Sequence, residues 1–186
     1  MRITGGTLSG RRLHTPKSSQ IRPMRDQVRA ALFNILNQLT DGSKFLDLFA
    51  GTGSVGIEAL SRGATSAVFV DQSHESIEIL ENNIAELNLN SRAEIVQADV
   101  FSWLANSTST DEKFDLIFVG PPYYKELADR ALQLLSETSL IHSESVIFAE
   151  VFKKEILQES YAKLKRYHER LYGDNLINFY QLEETS

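Results

Sequence analysis

Cysteine is absent from the 186 residues, which excludes disulfides and thiolate metal sites. The four histidines, at positions 14, 74, 142 and 168, lie far apart and none has ligand spacing, so no metal is expected. Nowhere do about 18 apolar residues run together, as a membrane-spanning helix requires. The first residues carry charge without an apolar segment, so no secretory leader is expected. There is no internal repeat and no low-complexity tract. What remains is ordinary: 42% apolar and 24% charged residues, as in globular domains. A chain of this length is most simply one cytoplasmic domain with a real core, working as a monomer.

Charge is scarce in one sign only locally. Residues 1–30 hold seven basic side chains (Arg2, Arg11, Arg12, Lys17, Arg22, Arg25 and Arg29) and a single acid, Asp26, although the whole chain stands at −6. A basic segment on an acidic body suits nucleic acid, and a solvated terminal extension is the plainer alternative. Arg22, Arg25 and Arg29 fall at or just before the start of a helix marked by Val28, Leu32, Ile35, Leu36 and Leu39. Cations there oppose the helix dipole, so their placement favours contact with phosphate.

Short apolar runs alternate with helical spacing along the rest of the chain. Strands are predicted at 45–49, 67–71, 93–97, 114–119 and 145–150, with helices after the first, second and fourth. Two loosely alternating segments, 161–172 and 176–182, flank Gly173-Asp174-Asn175, which is hairpin chemistry. At the other end, 1–4 and 11–15 flank Gly5 to Gly10 as a small hairpin, and the polar, proline-bounded stretch 17–23 is a connector. The expected fold is α/β: a Rossmann-like, doubly wound, seven-stranded and mainly parallel sheet. A C-terminal antiparallel hairpin closes it, and a small N-terminal β-hairpin precedes it.

Ligands of open α/β sheets bind beyond the carboxyl ends of the strands. Those ends carry Asp47 with Gly51 and Gly53, then Asp71, Asp99, and the turn Gly120-Pro-Pro-Tyr123. Gly51-Thr-Gly-Ser-Val-Gly56 also fits the dinucleotide pattern G-x-G-x-x-G. Asp47 just before that loop serves a pyrophosphate poorly and a cationic or zwitterionic ligand well. Asp71 suits ribose hydroxyls, Asp99 an exocyclic amine such as that of adenine, and Tyr123 the face of a planar base. Together these describe S-adenosylmethionine more closely than NAD. Asp71 and Asp99, each taken alone, could instead be helix N-caps.

The stretch Asp47-Leu-Phe-Ala-Gly-Thr-Gly53, with Asp71, Asp99 and Pro121-Pro-Tyr123, resembles the motifs of class I S-adenosylmethionine-dependent methyltransferases acting on exocyclic amines. Met1-Arg-Ile-Thr-Gly-Gly6, Gly10-Arg-Arg-Leu13, Arg22-Pro23, Val28 to Asn34, Leu60-Ser-Arg-Gly63, Glu150 and Tyr172-Gly-Asp174 narrow the resemblance. They are similar to the bacterial family that methylates guanine N2 in small-subunit (16S) ribosomal RNA. The resemblance implies a basic extension over 1–22 and a methyltransferase domain over 23–186. It implies cofactor contacts from Asp47, Phe49, Gly51, Gly53, Asp71 and Asp99, and catalytic positions at Gly120, Pro121, Pro122 and Tyr123. RNA contacts fall to Arg2, Arg11, Arg12, Arg22, Arg25 and Arg29, and the partner is 16S rRNA or the assembling small subunit. That family carries Asp or Asn before Pro-Pro, as acceptor for the target amine, where this chain has Gly120. A catalytically impaired cofactor- and RNA-binding protein, or an adenine-N6 DNA methyltransferase, are the competing expectations.

Overall fold

The computed structural model describes residues 1–16, 24–108, 111–123 and 126–183. The connector expected at 17–23, and Arg22 with it, lies outside the described residues. The first helix, α1, is Asp26–Leu36, followed by a 3-10 turn at Asn37–Leu39. Strands and helices then alternate: β1 Lys44–Leu48, α2 Ser54–Ser61, β2 Ser66–Asp71, α3 His74–Glu86, β3 Ala93–Gln97, α4 Val100–Asn106, β4 Leu116–Val119, α5 Leu127–Glu137 and β5 Val146–Phe152. Three further strands complete the chain: β6 Ser160–Tyr161, β7 Leu164–Tyr172 and β8 Asn175–Leu182.

The sheet has eight strands in the order β3-β2-β1-β4-β5-β8-β7-β6. That is one more than expected, the addition being β6, whose two residues leave no alternation to read. β1 to β5 pair in parallel, and β8 joins β5 antiparallel. Strand order therefore reverses between β1 and β4, and the crevice at such a switch is where ligands of this fold class sit. β5 also runs two residues further than expected, so Glu150 lies inside a strand.

Alternating side chains divide the core into two layers. Phe45, Phe69, Phe118, Phe148 and Phe179 face α1, α2 and α3, while Leu46, Leu48, Val70, Ile117 and Ile147 face α4 and α5. Every residue of α2 is buried, because the N-terminal segment covers its outer side. Ile3 and Leu13 join the first layer. Thr7 N–H reaches the Ser61 carbonyl at 2.8 Å, and Leu8 N–H reaches Ser61 Oγ at 3.0 Å. The expected N-terminal hairpin forms around one antiparallel bridge, Arg2 with Arg12, with Ile3 N–H on the Arg11 carbonyl at 3.0 Å and Gly10 N–H on the Ile3 carbonyl at 2.9 Å. Beyond it the backbone turns away, and His14 N–H donates to Asn83 Oδ1 at 2.7 Å.

Arg29 corrects the sequence expectation. It lies on the buried stripe of α1 with Val28, Leu32, Phe33 and Leu36, is 0% exposed, and is not part of a basic surface. Its Nε donates to Glu58 at 3.1 Å, and its other nitrogens donate to Asp26 and to the carbonyls of Met24 and Arg2. Glu58 also accepts from Thr4 N–H at 2.8 Å, Thr4 Oγ1 at 2.7 Å and Arg62 Nε at 2.8 Å. Burial would raise the Glu58 pKa, but these donors outweigh it and hold the carboxyl below its ordinary range. The cluster fastens the N-terminal segment and α1 to α2. Among the described residues no helix is long and apolar enough to cross a membrane, and no cluster of His, Asp or Glu is arranged to hold a metal ion.

Candidate active site

The loop after β1 is shaped by backbone conformations that few residues adopt. Gly51 and Gly53 have φ of 54° and 76°, and a Cβ at Gly53 would overlap the Leu80 side chain. Phe49 takes φ of 63° without being glycine, at a cost of about 1–2 kcal/mol. Such an outlier points to a functional constraint. Its ring meets Phe101 edge-on at 5.8 Å, and the Arg130 guanidinium stacks on the Phe101 ring at 4.0 Å.

Asp71 ties this loop to the end of β2. Its Oδ2 accepts from Gly51 N–H and its Oδ1 from Ser73 N–H, both at 2.8 Å. Each carboxylate oxygen has two lone pairs, so acceptor capacity remains for hydroxyls. Asp99 caps α4, with Oδ1 accepting from Ser102 N–H at 2.9 Å and Ser102 Oγ at 3.0 Å. Among the described residues no hydrogen bond reaches Oδ2. For Asp99 the N-cap and ligand readings are therefore compatible.

Asp47 lies beneath the loop, 1% exposed. Its Oδ2 accepts from Gly56 N–H at 2.8 Å, satisfying one of the free donors at the start of α2. Its Oδ1 has no hydrogen-bond partner among the described residues. Burial pushes its pKa well above the usual carboxylate range; the Gly56 N–H opposes this and the Asp71 charge adds to it. Asp47 thus shapes the start of α2 from below, and its carboxyl does not line the cavity described next.

These features border a cavity of about 560 Å³ lined by Phe49, Gly51, Asp71, Gln72, Ser73, Ser76, Asp99, Val100, Phe101, Gly120, Pro121, Pro122, Tyr123 and Leu127. Eight of the ten positions expected to bind cofactor or act in catalysis are thus brought together. Asp47 and Gly53 stand outside the lining and act through the loop. The lining residues of α4 and of the start of α3 were missed by sequence reasoning, although Val100 and Phe101 follow Asp99 directly. A second depression of about 620 Å³ borders Glu126, Asp129 and Glu155. It holds none of the motif residues.

Gly120 closes the cavity opposite the glycine loop. A Cβ there would overlap the Phe118 ring, so the ring occupies the space where a side chain would begin. Tyr123, two residues past the first proline, donates its hydroxyl to Glu150 Oε1 at 3.1 Å. Of the six arginines expected to contact RNA, Arg2, Arg11, Arg12 and Arg25 are exposed.

Known proteins resemble this chain along nearly its whole length. A family model described as conserved hypothetical protein 95 matches residues 1–181. The chain belongs to that family. Its relatives include a candidate rRNA methyltransferase of Bacillus subtilis (strain 168), YlbH, 32% identical over 97% of this chain and 98% of that protein. Ribosomal RNA small subunit methyltransferase D of Escherichia coli (strain K12) is 32% identical over 98% of this chain and 90% of the relative. The solved structure of the Escherichia coli candidate methyltransferase yhhF superposes with a TM-score of 0.86 at 31% identity, covering 98% of both chains. The solved relative shares the fold, and relatives in the family are named for rRNA methyl transfer.

Proposed function

We propose that this protein transfers a methyl group from S-adenosylmethionine to the exocyclic N2 of a guanine in small-subunit (16S) ribosomal RNA, free or in the assembling subunit. The observation that carries the reading is one cavity joining the Phe49–Gly51 loop, Asp71 and Asp99 to the Gly120–Tyr123 turn. Its volume is in the range of small-molecule sites, and relatives of the family are named for rRNA methylation.

The cofactor would supply a methyl group already activated on a sulfonium. Asp71 would hold the ribose hydroxyls, Asp99 the adenine amine, and the Phe49–Phe101 wall the adenine face. Asp47, buried beneath the loop, would act through the Gly56 N–H, shaping the turn that receives the cofactor's amino-acid end. The protein's remaining task is to align the incoming amine and exclude water. A guanine splayed out of an RNA loop would stack on Tyr123, while the Pro121–Pro122 turn would present backbone carbonyls to its amine. Arg2, Arg11, Arg12 and Arg25 would meet phosphates.

One observation favours a second reading, that of a cofactor- and RNA-binding protein with impaired catalysis. The acceptor expected at position 120 is missing and Phe118 fills its place. Incubation of the protein with labelled S-adenosylmethionine and undermethylated small subunits, followed by mass spectrometry of the nucleosides, separates the two. N2-methylguanosine is expected. Cofactor binding without incorporation would establish the impaired reading, and N6-methyladenine formed in DNA would move the protein to another substrate class.

A further inference from the structure

The pairing of β4 with β5 sets Phe118 beside Phe148 and Val119 beside Ala149. Continued by one residue, the register puts Glu150 beside Gly120, on the same face of the pleat as Phe118 and Phe148. Glu150 is 6% exposed. A carboxyl group so buried needs donors, and among those that reach it are the Tyr123 hydroxyl at 3.1 Å and Asn175 Nδ2 from β8. The Tyr123 ring also lies 6.1 Å from the Phe152 ring, tilted against it. β5 thus holds Tyr123 at its hydroxyl and along its side.

We propose that Glu150 is a positioning residue for methyl transfer, fixing the plane of the Tyr123 ring against which the target base stacks. With glycine at position 120 and the Phe118 ring over it, no side chain there orients the amine. Orientation falls to the stacking surface, whose stance depends on Glu150 and, behind it, on Asn175. The inference rests on the methyltransferase reading above.

The test compares Glu150→Ala, Glu150→Gln, Tyr123→Phe and the double variant Glu150→Ala/Tyr123→Phe. Misplaced reactants cost turnover more than affinity, so Glu150→Ala and Tyr123→Phe should each lower kcat roughly tenfold or more, with cofactor Kd by calorimetry unchanged. The double variant should be no slower than the slower single one, since both cut the same link. Glu150→Gln should recover most of the loss, because its carbonyl accepts from the same two donors. Additive losses, or a Gln variant as slow as the Ala variant, would overturn the proposal. A readout independent of methyl transfer is the 19F resonance of 3-fluorotyrosine at position 123, identified by its disappearance in Tyr123→Phe. It should shift in Glu150→Ala and stay near its wild-type position in Glu150→Gln. A wild-type protein that methylates no RNA would refute the functional reading alone, and an unmoved resonance in Glu150→Ala would refute this one.

Discussion

Asp47 shows how one side chain can serve the fold and the site at once. It caps α2 through Gly56 N–H, yet keeps an oxygen unpaired and a raised pKa. The folded chain therefore holds a proton that the unfolded chain has released, from about pH 4 up to the raised folded value. Across that window stability falls as pH rises. Asp47→Asn should flatten this decline in thermal melts taken from about pH 4 upward; an unaltered pH profile would contradict the assignment. Gly120 works the other way, by absence. Gly120→Asp should raise kcat with cofactor Kd unchanged, because the amine regains an acceptor worth roughly 1–3 kcal/mol. The same change crowds Phe118 at an overpacking cost of about 1–3 kcal/mol, so the melting temperature should drop by several degrees. Equal rates in the two proteins would mean that the acceptor is dispensable here.

Among the elements, the buried ion pair between α1 and α2 has the largest expected effect on stability. Removing one partner leaves an uncompensated charge inside, at a cost of about 3–5 kcal/mol. Arg29→Ala or Glu58→Ala should lower the urea midpoint accordingly, and a change below about 1 kcal/mol would mean that water reaches the pair. The five parallel strands were legible because each is an apolar run with turn residues after it. The motif acids were legible because charge at the end of such a run stands out. α4 was not, since seven residues scarcely establish a helical period. Arg29 was misread because counting cations ignores which helix face they occupy. Its spacing to Leu32 and Phe33, and the lone acid Glu58 in an apolar helix, were the available signals. The grouping of Tyr123, Glu150 and Asn175 depends on β5–β8 pairing across the chain, which no local pattern encodes.

For the whole molecule, net charge is −6, yet Arg2, Arg11, Arg12 and Arg25 stand exposed in or next to the N-terminal segment. Replacing Arg11 and Arg12 together by Ala should weaken RNA binding and make it less sensitive to salt. The slope of log affinity against log salt should become shallower by roughly 0.7–0.9 for each phosphate left without its cation. The melting temperature should hardly change, because both side chains are exposed. Unchanged affinity would move the RNA surface elsewhere. The N-terminal segment also carries a structural duty. Ile3, Thr4 and Leu13 seal α2, and Asn83 links the His14 backbone to the Thr52 carbonyl in the glycine loop at 3.1 Å. Deleting the segment to test RNA binding would therefore uncover an apolar helix and slacken the cofactor loop together, so lost activity in a shortened protein would say nothing about phosphate. Reversing surface charges leaves the seal in place.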